Sequence, residues 1–190
     1  FSGIAWKGNT GFYYSSYDKP KGSELSEKTD NHKVYFHKLK TAQSTDKMIF
    51  GGPEVARRYI GASLTDDEKY LILSAANTTS GNELYIQDLT KPNSKIINIL
   101  SGFETNTNIV DNDGETFYLE TNLKAPNNKL VKMNINQFAS KNWIDVISET
   151  QNVLSISKGG GYLFAQYLKD AISVVQQYSY AGKKIREISL

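Results

Sequence analysis

The sequence has 190 residues, 39% of them hydrophobic and 22% charged, and its 22 basic and 20 acidic residues leave a net charge of +2. This composition is typical of a folded globular chain, and no cluster of lysine and arginine forms the basic surface that nucleic acid requires, so we expect no nucleic-acid partner. The absence of cysteine excludes disulfides and thiolate metal sites. No apolar stretch approaches the ~20 residues of a membrane-spanning helix, so we expect a soluble chain without membrane contact, in a compartment, cytoplasmic or periplasmic, that the sequence leaves open.

Four groups of four β-strands follow one another along the chain, at a spacing of roughly 45 to 50 residues. Short runs of β-branched and aromatic residues separated by turn-forming residues define the strands. The four predicted units cover residues 1–52, 53–101, 102–149 and 150–190. Their strands are predicted at 4–6, 11–17, 32–39 and 47–50; at 59–64, 70–75, 83–88 and 95–100; at 105–110, 116–121, 129–134 and 143–147; and at 151–157, 161–168, 171–180 and 184–188.

The packing of these strands is indicated by their apolar content. Segments 70–73 and 162–165 are almost continuously apolar, as in a sheet that neighbouring sheets cover on both faces. The blades of a β-propeller pack in this way. Only segments 52–58 and 134–140 have a weak helical tendency. The sequence therefore predicts an all-β chain, one partial β-propeller domain of about four antiparallel blades.

Neither the nucleophiles nor the histidines of the sequence form a catalytic motif. The motif Gly-x-Ser-x-Gly of α/β-hydrolases does not occur, and its nearest approach, segment 61–65, has Thr65 in place of the second glycine. His32 and His37 lie on one predicted strand and point to opposite faces, so we interpret them as ordinary edge or surface histidines. We expect no catalytic residue in this chain.

Metal and cofactor motifs are equally absent. Segment 111–115 begins like a calcium-binding loop, but Thr116 stands where the loop requires glycine and Asn122 where it requires glutamate. The glycines of 159–161 lack the continuation of a phosphate-binding loop. Both segments are interpreted as hairpin turns, and we expect no metal and no cofactor.

Several segments carry a resemblance to a known family. They are 1–6, 11–17, 32–39, 43–46, 61–67, 81–85 and 121–130. In order along the chain, they resemble the propeller of the prolyl oligopeptidase family of serine peptidases. The resemblance implies an open arc of a seven-bladed propeller. It also implies that the α/β-hydrolase domain with the Ser-Asp-His triad, which the propeller caps in the family, is absent from this chain.

The resemblance further implies a function for the parent protein, a serine endopeptidase that cleaves short peptides after proline. This region would limit substrate access and line the cavity, with substrate-contacting side chains near Tyr59 and Thr79. Asn77 lies beside them, next to Ala76, at which some members of the family carry arginine. Catalysis would belong to the missing domain, and this chain alone is expected to be inactive.

Two other functions are compatible with the same repeated groups of four strands. A non-enzymatic propeller would bind protein partners on one face, as repeat arrays do. A glycan-processing propeller would need converging carboxylates and sugar-stacking aromatic residues. For each of these functions, terminal blades without a neighbour expose apolar faces, so we expect the purified chain to associate with itself.

Overall fold

A computed structural model describes residues 3–18, 22, 30–53 and 58–189, and contains four antiparallel sheets of four strands each in these residues. The first sheet is formed by β1 (Ile4–Lys7), β2 (Gly11–Ser16), β3 (Lys33–Lys38) and β4 (Lys47–Gly51). The second is formed by β5 (Tyr59–Leu64), β6 (Tyr70–Ala76), β7 (Glu83–Asp88) and β8 (Ile96–Leu100).

The third and fourth sheets repeat this plan. The third contains β9 (Thr107–Asp113), β10 (Thr116–Thr121), β11 (Lys129–Asn134) and β12 (Ile144–Ile147). The fourth contains β13 (Leu154–Gly159), β14 (Tyr162–Lys169), β15 (Ile172–Tyr178) and β16 (Lys184–Ile188). In every sheet, strands that are consecutive in the chain are neighbours. The predicted all-β architecture of four-stranded antiparallel sheets is confirmed.

Two compact units divide the chain, Phe1–Phe103 with the first two sheets and Glu104–Leu190 with the other two. The core of the first unit lies between its two sheets and consists of Tyr13, Val34, Ile60, Leu71, Leu73, Ala75 and Tyr85. Burial alternates along β2, so that Tyr13 and Ser15 are buried while Phe12 and Tyr14 are only partly buried. The hydroxyl of Ser15 donates to the carbonyl of Ile60 at 2.6 Å, which satisfies a polar group at the sheet interface.

The core of the second unit has the same construction. Its buried members are Tyr118, Leu130, Ile147, Leu154, Leu163, Ala165 and Tyr167. Thr107 and Thr121, both fully buried, join β9 to β10 by a hydroxyl–hydroxyl bond of 2.7 Å. Buried apolar surface and satisfied polar groups together stabilise each unit.

Two predicted turns have different outcomes. Gly160 and Gly161 have φ values of 55° and 79° and join β13 to β14, as a tight hairpin turn with two left-handed residues requires. The prediction of a turn beginning at Asp111 is wrong. β9 continues to Asp113, because Asp111 and Asp113 pair with Tyr118 and Thr116 of β10.

The structure also differs from the predicted helical tendencies, and β9 and β13 each begin two or more residues later than predicted. Residues Ile135–Gln137 form one 3-10 turn, and part of segment 52–58 lies outside the described residues. β13 begins at Leu154 rather than at residue 151, because the chain just before it is hydrogen-bonded to Asn127. The side-chain amide of Asn127 donates to the carbonyl of Thr150 at 3.0 Å, and the carbonyl of Asn127 accepts from Leu154 N at 2.8 Å. Likewise, β9 begins at Thr107, two residues later than predicted.

Candidate functional site

The predicted substrate-facing residues lie at one end of the second sheet. Tyr59 begins β5 and pairs with Ala76, the last residue of β6, so Asn77 follows directly beside Tyr59. Thr79 lies two residues further along the same loop. Tyr59 is 48% exposed, and Asn77 and Thr79 are also exposed. Strand pairing therefore brings two of the three residues together and leaves the third in the adjoining loop.

The loop after β6 is shaped by its own hydroxyl groups and by one glycine. Thr78 Oγ1 donates to the carbonyl of Ser80 at 2.9 Å and accepts from Ser80 N at 3.4 Å. Gly81 has φ of 77°, and a Cβ atom there would lie 1.7 Å from the carbonyl oxygen of Phe103. Only glycine permits this close approach, which fixes the loop against the segment after β8.

A partly buried ion pair lies beside this loop. Arg58 Nη2 lies 3.1 Å from Glu83 Oε1, and the Tyr85 hydroxyl donates to Glu83 Oε2 at 2.7 Å. The guanidinium carbon of Arg58 lies 5.3 Å from the ring centroid of Phe103, as a cation–π contact. Burial, together with the neighbouring Glu83, raises the pKa of Tyr85 to about 12, so its hydroxyl stays protonated and donates at neutral pH.

The interpretation of His32 as an edge or surface histidine is wrong, since it precedes β3 and is only 2% exposed. Its ring stacks on Tyr17, with centroids 5.6 Å apart, and meets the edge of Tyr59 at 5.4 Å. His37 differs: it lies within β3, and its Nδ1 is 2.8 Å from Asp46 Oδ1. The two histidines therefore occupy separate surroundings.

Sequence reasoning missed three residues of this site, namely Arg58, Glu83 and His32. A charged residue directly before the apolar run of β7 was a signal for Glu83, because a carboxylate in such a strand needs a partner. Arg58 and His32 had no comparable signal. Their role depends on residues that are distant in the sequence.

Two carboxylates of the second unit accept hydrogen bonds from distant residues of the same unit. Asp111 accepts from Lys158 Nζ at 2.6 Å and from the hydroxyl of Tyr180. Burial opposes ionisation of Asp111, but these two bonds outweigh it and lower its pKa. Glu120 accepts from Ile156 N at 2.6 Å, and burial raises its pKa. Both side chains are thus committed to contacts within the unit.

Within the described ranges, no group of three or more His, Asp or Glu side chains is placed to hold a metal ion. No helix in the same residues has the length and apolar character needed to cross a membrane.

Four-stranded antiparallel meanders repeated along the chain define a partial β-propeller. Residues 1–190 match the family model described as the prolyl oligopeptidase N-terminal β-propeller domain, and the chain therefore belongs to the prolyl oligopeptidase family. The family resemblance predicted from the sequence is confirmed over the whole chain.

Individual relatives agree with this assignment. The chain is 57% identical over 191 residues to a prolyl endopeptidase of Elizabethkingia meningoseptica and 53% identical over 191 residues to one of Elizabethkingia miricola. All of the chain is covered in each match, but only 27% of either relative. The chain thus spans about a quarter of the length of these relatives.

Solved structures show the same fold. A structure from a study of two prolyl endopeptidases and their inter-domain dynamics matches with a TM-score of 0.87 and 27% identity, over 99% of this chain and 27% of that chain. Prolyl oligopeptidase B from Galerina marginata, bound to a 35-residue substrate for hydrolysis and macrocyclization, matches with a TM-score of 0.87 and 26% identity, over 100% of this chain and 27% of that chain.

Proposed function

We propose that this chain is the substrate-screening propeller region of a serine-type prolyl endopeptidase, which cleaves short peptides after proline. The supporting observation is the grouping of Tyr59 and the exposed loop 77–80 at one end of a sheet in a member of this family. The Ser-Asp-His triad belongs to an α/β-hydrolase domain outside this chain. The propeller limits the size of the peptides that reach that domain and lines one side of the cavity.

Tyr59, Asn77 and Thr79 contact the peptide in this proposal. An exposed tyrosine ring offers a flat apolar face to a substrate side chain, and its hydroxyl adds a polar end. Asn77 and Thr79 have short polar side chains that hydrogen-bond peptide N–H and C=O groups. Ala76 cannot make the guanidinium contact that arginine makes in some members, so neutral hydrogen bonds carry recognition here.

The partly buried Arg58–Glu83 pair supports the same proposal. Arg58 precedes Tyr59, and its bond to Glu83 of β7 anchors the start of β5. Precise substrate recognition requires a contact residue that rests on a rigid element. The pair supplies that rigidity directly beside Tyr59.

The first test compares hydrolysis of a succinyl-Gly-Pro chromogenic peptide by the 190-residue chain and by the product of the complete gene. Activity in the longer protein only supports the proposal. Inactivity in both folded proteins would favour a non-enzymatic binding scaffold. Activity in the short chain alone would mean that catalytic residues lie within it.

A second test addresses the contact residues in the active longer protein. Tyr59→Ala, Asn77→Ala and Thr79→Ala should each raise KM for the peptide with little change in kcat, since they remove binding rather than chemistry. Tyr162→Ala is the matched control, because Tyr162 is 40% exposed and lies in the fourth sheet. An unchanged KM in all three variants would overturn the assignment of these contacts.

The glycan-processing alternative is not favoured. It requires a pair of carboxylates that converge on a sugar. Asp111 and Glu120 are the partly buried carboxylates of the second unit, and each already accepts hydrogen bonds from its neighbours.

Self-association belongs to this proposal as a property of the chain on its own. One face of the first sheet exposes Ile4, Trp6 and Met48, at 59%, 57% and 51%. Cross-strand pairing places Ile4 beside Tyr14 and Trp6 beside Phe12, so the exposed side chains form a continuous apolar face. In the longer protein a neighbouring blade covers this face, and in the isolated chain a second copy does.

A further inference from the structure

We infer that His32 is a positioning residue that holds Tyr59 at the start of β5, and that only its neutral imidazole can do so. The consequence for substrate binding depends on the proposed function. The positioning itself does not, because it concerns contacts within the first unit. His32 therefore links the ionisation of one buried ring to the placement of an exposed one.

The ring of His32 is closely confined. His32 is 2% exposed and lies between Tyr17, stacked at 5.6 Å with planes inclined by 18°, and Tyr59, in edge contact at 5.4 Å with planes inclined by 70°. Its carbonyl oxygen accepts from Gly52 N at 3.1 Å. A Cβ atom on Gly51 would lie 2.2 Å from that oxygen, so the backbone here packs against β4 without spare room.

One hydrogen bond fixes which nitrogen of His32 carries the proton. The backbone N–H of Ile60, the residue after Tyr59, donates to His32 Nδ1 over 3.4 Å. An imidazole nitrogen accepts only when it carries no proton, so the proton of the neutral ring is on Nε2. Nε2 is buried and has no hydrogen-bond partner in the part of the chain that the structure describes. The ring is therefore held through Nδ1 and its two aromatic neighbours.

Protonation removes this arrangement. Both nitrogens of an imidazolium are donors, so Nδ1–H would face the N–H of Ile60 and the bond at the start of β5 would be lost. Two ion pairs lie on the described residues next to His32 and Tyr59. Lys33 binds Asp18, and Arg58 binds Glu83 at 3.1 Å, so these carboxylates are not available to compensate a charge on His32.

The ionisation of His32 supports the same conclusion. Burial lowers the pKa of His32 below its ordinary value of 6.5. The neutral form that accepts from Ile60 is therefore the form present near pH 7. Acidification releases Tyr59 from its support.

The decisive experiment follows the ring signals of His32 and Tyr59 by NMR in the 190-residue chain between about pH 7.5 and pH 5. We expect the Tyr59 signals to shift with the same midpoint as His32, below its ordinary pKa. The variant His37→Asn should leave this shift unchanged, because His37 contacts Asp46 instead. Tyr59 signals that stay constant while His32 titrates would overturn the inference.

Two substitutions separate positioning from packing. His32→Asn supplies an amide oxygen as the acceptor for Ile60 N–H and does not titrate, so Tyr59 should keep its neutral-pH signals down to about pH 5. His32→Leu fills the space without an acceptor, so Tyr59 should be displaced already at about pH 7.5. A leucine variant with wild-type Tyr59 signals would count against the inference. If a variant does not fold, the wild-type titration still decides.

The link to substrate is tested in the active longer protein. KM for the proline peptide should rise about twofold at the His32 midpoint, since half of the molecules then hold Tyr59, while kcat stays constant. His32→Asn should abolish this change. If Tyr59 follows His32 by NMR but KM does not, the positioning role stands and the proposed substrate contact of Tyr59 is wrong.

Discussion

The guanidinium of Arg58 lies 3.1 Å from the carboxylate of Glu83, a side chain that is only 7% exposed. The same carboxylate accepts from the hydroxyl of Tyr85. Through its bond to Arg58, Glu83 joins β7 to the residue that precedes β5. Removal of one partner from a buried pair is costly, because the remaining charge stays buried without compensation.

Arg58→Met and Glu83→Gln should each lower the free energy of unfolding of the first unit by about 2 kcal/mol, a value between those of exposed and fully buried pairs. Urea denaturation measures this loss. Trp6 lies in the first unit and Trp143 in the second, so replacing one tryptophan with phenylalanine lets the other report on its own unit.

Asp145→Asn is the matched control for the ion pair. Lys129 and Asp145 lie 2.9 Å apart, but the Asp145 side chain is 44% exposed. An exposed pair contributes little, so this loss should stay below about 0.5 kcal/mol. Equal losses in the two units would contradict the special role of Glu83.

A pH dependence should arise from Asp111 in the second unit. Its folded-state pKa lies below the ordinary value of 3.8, so the folded protein binds fewer protons than the unfolded chain near that pH. The stabilisation is therefore complete above the ordinary pKa and is lost as pH falls through the lowered one. Asp111→Asn should cost about 2 kcal/mol at neutral pH and flatten the stability curve below about pH 4, measured by urea titrations.

Glu120 provides a control of opposite sign. Its pKa is raised above the ordinary value of 4.5, so the folded state favours the protonated form and gains stability as pH falls. Glu120→Gln keeps an oxygen acceptor for Ile156 N and should be as stable as the wild type, or more stable, at neutral pH. A large loss in this variant would show that its charge is needed.

Two glycines should respond differently to alanine. At Gly81 a Cβ atom would lie 1.7 Å from the Phe103 carbonyl oxygen and φ is 77°, whereas at Gly61 nothing lies within 4 Å. Gly81→Ala should therefore lower the unfolding free energy by more than about 2 kcal/mol, while Gly61→Ala should change it by less than about 0.5 kcal/mol. Thermal and urea unfolding measure both, and similar values for the two variants would refute the close approach at Gly81.

The apolar face of the first sheet should cause concentration-dependent association of the 190-residue chain. Trp6→Lys and Met48→Lys should each shift the sedimentation profile toward the monomer, because a charged side chain opposes burial of that face. Ile144→Lys is the control, since Ile144 is 58% exposed but lies in the third sheet. A wild-type chain that stays monomeric at high concentration would contradict the expectation.

Most strands could be predicted from the sequence because their signals are local. The segments 59–64, 83–88, 116–121, 129–134 and 184–188 were predicted with the bounds that the structure has. Alternating or continuous apolar residues and the adjacent turn residues suffice for such strands. The start of β13 could not be predicted, because it is set by Asn127, which lies in the connection between β10 and β11.

The candidate site likewise has one part that the local sequence predicts and one part that it does not. Tyr59 and Asn77 come together through the register of β5 and β6, which follows from two neighbouring apolar strands and the turn between them. The burial of His32 depends on Tyr17, which follows β2, and on Tyr59, which begins β5; they lie 15 and 27 residues away in sequence. A pattern of local residues does not contain such information, and His32 was therefore misread.

The meander order of the strands also bears on how the protein is made. Each hydrogen-bonded strand pair joins consecutive strands, so the first sheet needs only residues 4–51 to complete its pairing. Contacts close in sequence form quickly, and synthesis proceeds from the amino terminus. Each sheet can therefore complete its pairing on the ribosome while the next is still being translated.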